Sequence, residues 1–154
     1  MSLQKMTNHN NILTKQERRL PKSILDKAIK STNEFGWTQT DFLEVIEAAR
    51  QINIAIIGGQ VQYVLPDGTC ELYWLSYDPD NRQINEQWRS YCDRTAKECL
   101  DKFHKLITTT DIENEALTNF PFLTDKKKSG VDISKFLAFI LYFDDKETDM
   151  VDKD

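Results

Sequence analysis

The strongest constraint on this chain is a reversal at Pro66-Asp67-Gly68-Thr69, bracketed by two runs of alternating side chains. Before it, Val61, Tyr63 and Leu65 alternate with Gln60, Gln62 and Val64. After it, Glu71, Tyr73 and Leu75 alternate with Cys70, Leu72 and Trp74. A period of two belongs to a strand with two unlike faces. Proline presets φ at the second turn position, and an Asp-Gly pair accepts the positive φ of tight reversals. The segment therefore predicts an antiparallel hairpin, 61–65 with 70–75, with Pro66–Thr69 at its tip. Just upstream, Ile54-Ala55-Ile56-Ile57 is rich in β-branched residues and ends at Gly58-Gly59. That pair reads either as a tight turn from an earlier strand or as a bulge.

Around this hairpin the pattern is helical. Ile24, Leu25, Ala28 and Ile29 recur at helical spacing behind Pro21, which predicts a helix over 21–34, broken at Phe35-Gly36-Trp37 with Gly36 as a left-handed cap. Phe42, Val45, Ile46 and Ala49 form the stripe of a second helix, starting at Thr40-Asp41 and ending near Gln51. Trp88, Cys92, Thr95, Cys99, Phe103 and Leu106 give a long third one, roughly 84–107, ended by Thr108–Thr110. Residues 112–119 suggest a short helix stopped by Pro121, and Lys126–Gly130 a solvated turn. Asp132 or Ser134 then caps the apolar segment Phe136–Phe143, which reads best as a buried helix and second as a strand. The expected fold class is α+β, with helices packed around a small antiparallel sheet centred on the hairpin. Residues 1–20 read as a flexible arm, 21–143 as one globular domain and 144–154 as an acidic flexible tail.

Length and charge narrow the function classes. A chain of 154 residues buries enough surface to fold without metal or disulfide. No run approaches the roughly 20 apolar residues of a membrane span, and the N-terminal stretch is polar. A cytoplasmic protein without a membrane role is the expectation. The net charge is −5, yet residues 1–34 balance to +4 and residues 144–154 to −4. Outside the arm the chain would repel phosphate, so nucleic acid is not an expected partner.

No catalytic constellation is legible. Cys99 and His104, five apart, fall on different helix faces, and Cys92 and Cys99 lie on the apolar stripe where a thiol is inert. Cys70, Cys92 and Cys99 include no paired spacing, no histidine pair stands at ligand distance, and no glycine-rich loop precedes Lys-Ser/Thr. Asp67, Glu71, Asp78 and Asp80 sit in or beside turns, where acids commonly bind backbone. Hence no catalytic residue, no metal ligand and no cofactor is expected.

The aromatic residues say more. Tyr63, Tyr73, Trp74, Tyr77, Trp88 and Tyr91 crowd the hairpin and the start of the long helix. Tyr73 and Trp74 are neighbours on one strand, so they point to opposite faces. Either one of them is exposed, or a further helix covers the second face. Tyr and Trp are enriched at the centres of protein interfaces. Tyr73, Trp74, Tyr77, Asp78 and Asp80 are therefore the candidate partner-binding residues.

The stretch GGQVQYVLPDGTCELYWLSY, residues 58–77, together with EQWRSYCDRTAKECL, residues 86–100, resembles small single-domain bacterial immunity proteins of polymorphic toxin systems. The two stretches together hold 35 of the 154 residues. The resemblance implies a stoichiometric cytoplasmic inhibitor that binds a partner toxin and blocks it, and an acidic inhibitor suits a basic toxin. The alternative is a small-molecule-binding or enzymatic domain with a pocket between the hairpin and the long helix.

Overall fold

A computed structural model describes residues 19–145. The expected arm and tail lie outside that range, apart from Arg19, Leu20, Asp144 and Asp145. In chain order the elements are α1 (Lys22–Asp26), β1 (Ile29–Ser31), β2 (Glu34–Trp37), α2 (Gln39–Gln51), β3 (Ile54–Gly58), β4 (Gln60–Leu65), β5 (Gly68–Ser76), α3 (Trp88–Thr109), α4 (Ile112–Asn119), α5 (Pro121–Lys128), β6 (Leu137–Ile140) and β7 (Tyr142–Asp145). The fold is α+β, with every strand pairing antiparallel.

The predicted hairpin is present. Leu65 faces Gly68, Val64 faces Thr69, and the register continues to Val61 opposite Leu72. Proline makes the tip, but neither Asp67 nor Gly68 takes the positive φ that an Asp-Gly pair accepts. The hairpin belongs to a five-stranded sheet in the order β1-β2-β6-β4-β5, while β3 and β7 form a separate pair. The chain passes directly from β3 into β4 and from β6 into β7, so two long strands run side by side and bend together. The bulge at that bend begins one residue before the Gly58-Gly59 pair: the register passes from Ile56 opposite Phe143 to Gly58 opposite Tyr142 and leaves Ile57 unpaired. Gly58 has φ +142°, and a Cβ on Gly59 would lie 1.8 Å from the Ile140 carbonyl oxygen. Only glycine lets the two backbones approach so closely.

One sheet face is apolar. Phe35, Trp37, Val61, Tyr63, Cys70, Leu72 and Phe139 are buried with Phe42, Val45 and Ile46 of α2 and Cys99 and Phe103 of α3. Phe103 and Phe42 stack at 3.8 Å between ring centres, with Tyr77 and Phe139 edge-on to Phe103. Trp88 and Cys92 are also buried, but with Ala55 and Tyr91 in a second cluster, so the long helix serves two cores instead of the single one its stripe implied.

Several expectations are corrected. The helix expected over 21–34 stops at Asp26, and the chain turns at Thr32 (φ +50°) into the β1–β2 hairpin. Gly36 is a strand residue, not a cap: a Cβ there would meet Ile140 Cδ1 at 2.8 Å. The second helix starts two residues early, because Thr38 Oγ1, not Thr40, accepts the Asp41 N–H. The long helix starts at Trp88 and runs through Thr109, where Thr108 and Thr109 donate their hydroxyls back to the His104 and Lys105 carbonyls. Pro121 opens α5 at its first turn, and Lys126–Lys128 form its last turn, where cations offset the helix dipole. The segment 136–143 is not a helix. After a 3-10 turn capped by Asp132 it supplies β6 and β7, as Phe139, Phe143 and Leu141 fill the core from a strand. The globular body also extends beyond its expected ends: Leu20 is buried, and Arg19 pairs with the buried Asp145 at 2.5 Å.

Candidate functional site: an extruded aromatic segment on an edge strand

β5 ends the five-stranded sheet, and its pairing with β4 is interrupted. Val61 faces Leu72, yet the next residue back, Gln60, faces Ser76. Tyr73, Trp74 and Leu75 therefore have no opposite number and bulge from the ladder. Leu75 turns inward and is 7% exposed, whereas Tyr73 is 71% and Trp74 39% exposed. Strict alternation would have put the two aromatics on opposite faces. The bulge instead lets them meet edge to face at 5.2 Å.

Trp74 is held in place. Its ring lies parallel to Phe120 at 6.3 Å, and its indole N–H donates to Glu115 Oε1 at 2.8 Å. Asp111 caps α4 by accepting the Asn114 N–H, with Glu113 and Glu115 in the helix's first turn, where acids are favoured. Lys127 pairs with Glu113 and Lys126 with Asp67. The result is an anchored aromatic ledge with acids along one margin.

The remaining predicted site residues part company. Tyr77 is buried; its hydroxyl proton is shared between the Ile140 carbonyl at 2.7 Å and the Gln60 carbonyl at 3.0 Å. Burial raises its phenol well above the usual range. It offers no surface to a partner. Asp78 is exposed, but its Oδ1 accepts the Gly59 N–H at 2.9 Å. Asp80 is exposed on the following loop; its N–H donates to Glu98.

That loop is braced by a residue that motif reading passed over. Arg94 donates twice to Glu86, once to Glu98, and to the Asp80 and Asn81 carbonyls. Hydrogen bonding to Arg94 pulls the Glu86 carboxyl down from 4.5 to about 2. The i,i+4 spacing of Arg94 and Glu98 was a signal in the sequence, but Glu86 reaches Arg94 only across the loop.

Other chemistry is sparse. Cys70, Cys92 and Cys99 are buried free thiols, and burial pushes Cys92 up to about 12, so none is a ready nucleophile. Among the described residues no three His, Cys, Asp or Glu side chains gather as metal ligands, and no helix is long and apolar enough to cross a membrane. A cleft of ≈ 250 Å³ lies between β5 and the end of α3, lined by Ser76, Lys102, Lys105, Leu106, Thr109 and Thr110. No family model, no curated protein and no solved structure matches this chain.

Proposed function

We propose that this chain is a non-enzymatic protein-binding domain, most concretely an immunity-type inhibitor that binds and blocks a partner toxin. The observation that supports it is the Tyr73–Trp74 bulge. A large, rigid aromatic pair held in water by a bulged edge strand has no role in the core, and such residues are typical anchors of protein interfaces. A net charge of −5 favours a basic partner through complementary potentials. The test is capture of a partner from the native organism, then binding kinetics. Tyr73→Ala with Trp74→Ala should weaken the complex by about 2 kcal/mol or more, mostly through faster dissociation. Asp80→Lys should slow association and flatten its salt dependence. A captured partner bound equally well by the aromatic double variant sinks this surface.

The second reading is a small-molecule site in the cleft beside β5, favoured by the position of that cleft between hairpin and long helix. Its volume falls below the roughly 300–1,000 Å³ usual for ligand pockets. Lys102 is already engaged with the Asp78 carbonyl at 2.6 Å. Protein binding is the better-supported reading.

A further inference from the structure

We propose that the sheet face turned away from α2 and α3 carries a subsite for one cationic nitrogen group, a guanidinium or a primary ammonium. Glu34 supplies its counter-charge and Gln60 Oε1 its second acceptor. The subsite goes beyond the partner-binding reading and does not need the Tyr73–Trp74 surface.

The argument starts from strand alternation. Val61, Tyr63, Phe35 and Phe139 take the apolar face, so Gln60, Gln62, Glu34 and Ala138 fall on the other. Register puts Glu71 directly across from Gln62. There the side chains form a directed hydrogen-bond chain. Ser31 donates its hydroxyl to Gln62 Oε1 at 2.6 Å, and Gln62 Nε2 donates to Glu34 Oε1 at 2.8 Å. Gln60 Nε2 donates to the Tyr142 oxygen at 3.1 Å, and the Tyr142 hydroxyl in turn donates to Glu34 Oε2. Burial, and then Glu34, raise the Tyr142 phenol, so it stays a donor. Both branches converge on one carboxylate from neutral donors alone.

Two needs are left open. Among the described residues, no Lys, Arg or His lies within ion-pair reach of Glu34 or Glu71. Gln60 Oε1 is a buried acceptor with no hydrogen-bond partner, which native structures rarely leave unfilled. A hard metal ion would need more oxygen ligands than one carboxylate and an amide offer. A guanidinium or ammonium supplies what both groups lack: N–H donors carrying positive charge. Each Glu34 oxygen still has acceptor capacity, and Glu71 adds negative charge at the open side.

The group could arrive on a basic partner's side chain or as a free amine, and the probes separate the two. The full chain is titrated with a blocked Gly-Arg-Gly peptide, its neutral citrulline counterpart, and putrescine, following the Gln60 and Gln62 side-chain amide resonances. Saturable shifts are expected with one or both cations, with Kd on the order of 1 mM, and none with citrulline. Tighter binding of the peptide assigns the site to an arginine side chain; tighter putrescine assigns it to a free amine. Glu34→Gln should weaken binding roughly tenfold or more, the worth of one charge-assisted hydrogen bond. Glu71→Lys, at an exposed position, should weaken it several-fold without touching the buried cluster. Absence of saturable shifts, equal response to citrulline, or indifference to both substitutions overturns the subsite while leaving the Tyr73–Trp74 proposal standing.

Discussion

The buried hydroxyl of Tyr77 lies between the carbonyls of Gln60 and Ile140, where the two long strands bend. Its neighbour Asp78 takes the Gly59 N–H at the same place. A bend in a ladder leaves polar backbone groups short of partners, and these two side chains answer that need from a third strand's end. Tyr77→Phe keeps the ring and its contacts but removes the donor that the two carbonyls share. The expected cost is about 1–3 kcal/mol in chemical denaturation. A midpoint unchanged within error would show that the bend does not depend on the hydroxyl. In the sequence Tyr77 is one more aromatic near a hairpin, because nothing local tells a residue that Ile140 lies beside it.

At the scale of elements, the loop between β5 and α3 carries its own pH signature. Glu86 has its carboxyl depressed to about 2, chiefly by hydrogen bonding to Arg94. A depressed carboxylate stabilises the fold above its ordinary value of 4.5, and that contribution is lost as pH falls from there toward about 2. Denaturation midpoints across this window should therefore drop more steeply in the native chain than in Glu86→Gln, which lacks the titrating group. Parallel curves would remove the Arg94–Glu86 pair as a stabilising element. The two misread elements, 21–34 and 136–143, share a cause. Both carry apolar residues at helix-compatible spacing, the first sparsely at Ile24, Leu25, Ala28 and Ile29 and the second almost continuously, and intrinsic propensity is weak there. β2 and β6 pair with each other, Gly36 opposite Ile140 and Trp37 opposite Phe139. β2 also pairs with β1 and β6 with β4, so each segment takes its strand form from partners outside itself.

On the scale of the whole molecule, the aromatic core joins elements far apart in sequence. Phe103 from α3 stacks on Phe42 from α2 and meets Phe139 from β6, so it ties both helices to the sheet. Phe103→Ala should cost about 3–5 kcal/mol, as large core deletions do, measured by equilibrium unfolding. A loss under roughly 1 kcal/mol would be typical of a surface site and would contradict its burial.

The sequence by itself determined the α+β class, the hairpin and its proline tip, the stripes of α2 and α3, and the aromatic crowding at β5. Those features are local: period, turn chemistry and capping act over a few residues. Tertiary structure decided which face each candidate residue met. Tyr73 and Trp74 are exposed together because three residues of β5 lack partners on β4, whereas Tyr77, one residue past the strand, is locked inside. It also assembled Ser31, Glu34, Gln60, Gln62 and Tyr142 from four strands. Long-range strand pairing creates such neighbours, and no spacing along the chain records them.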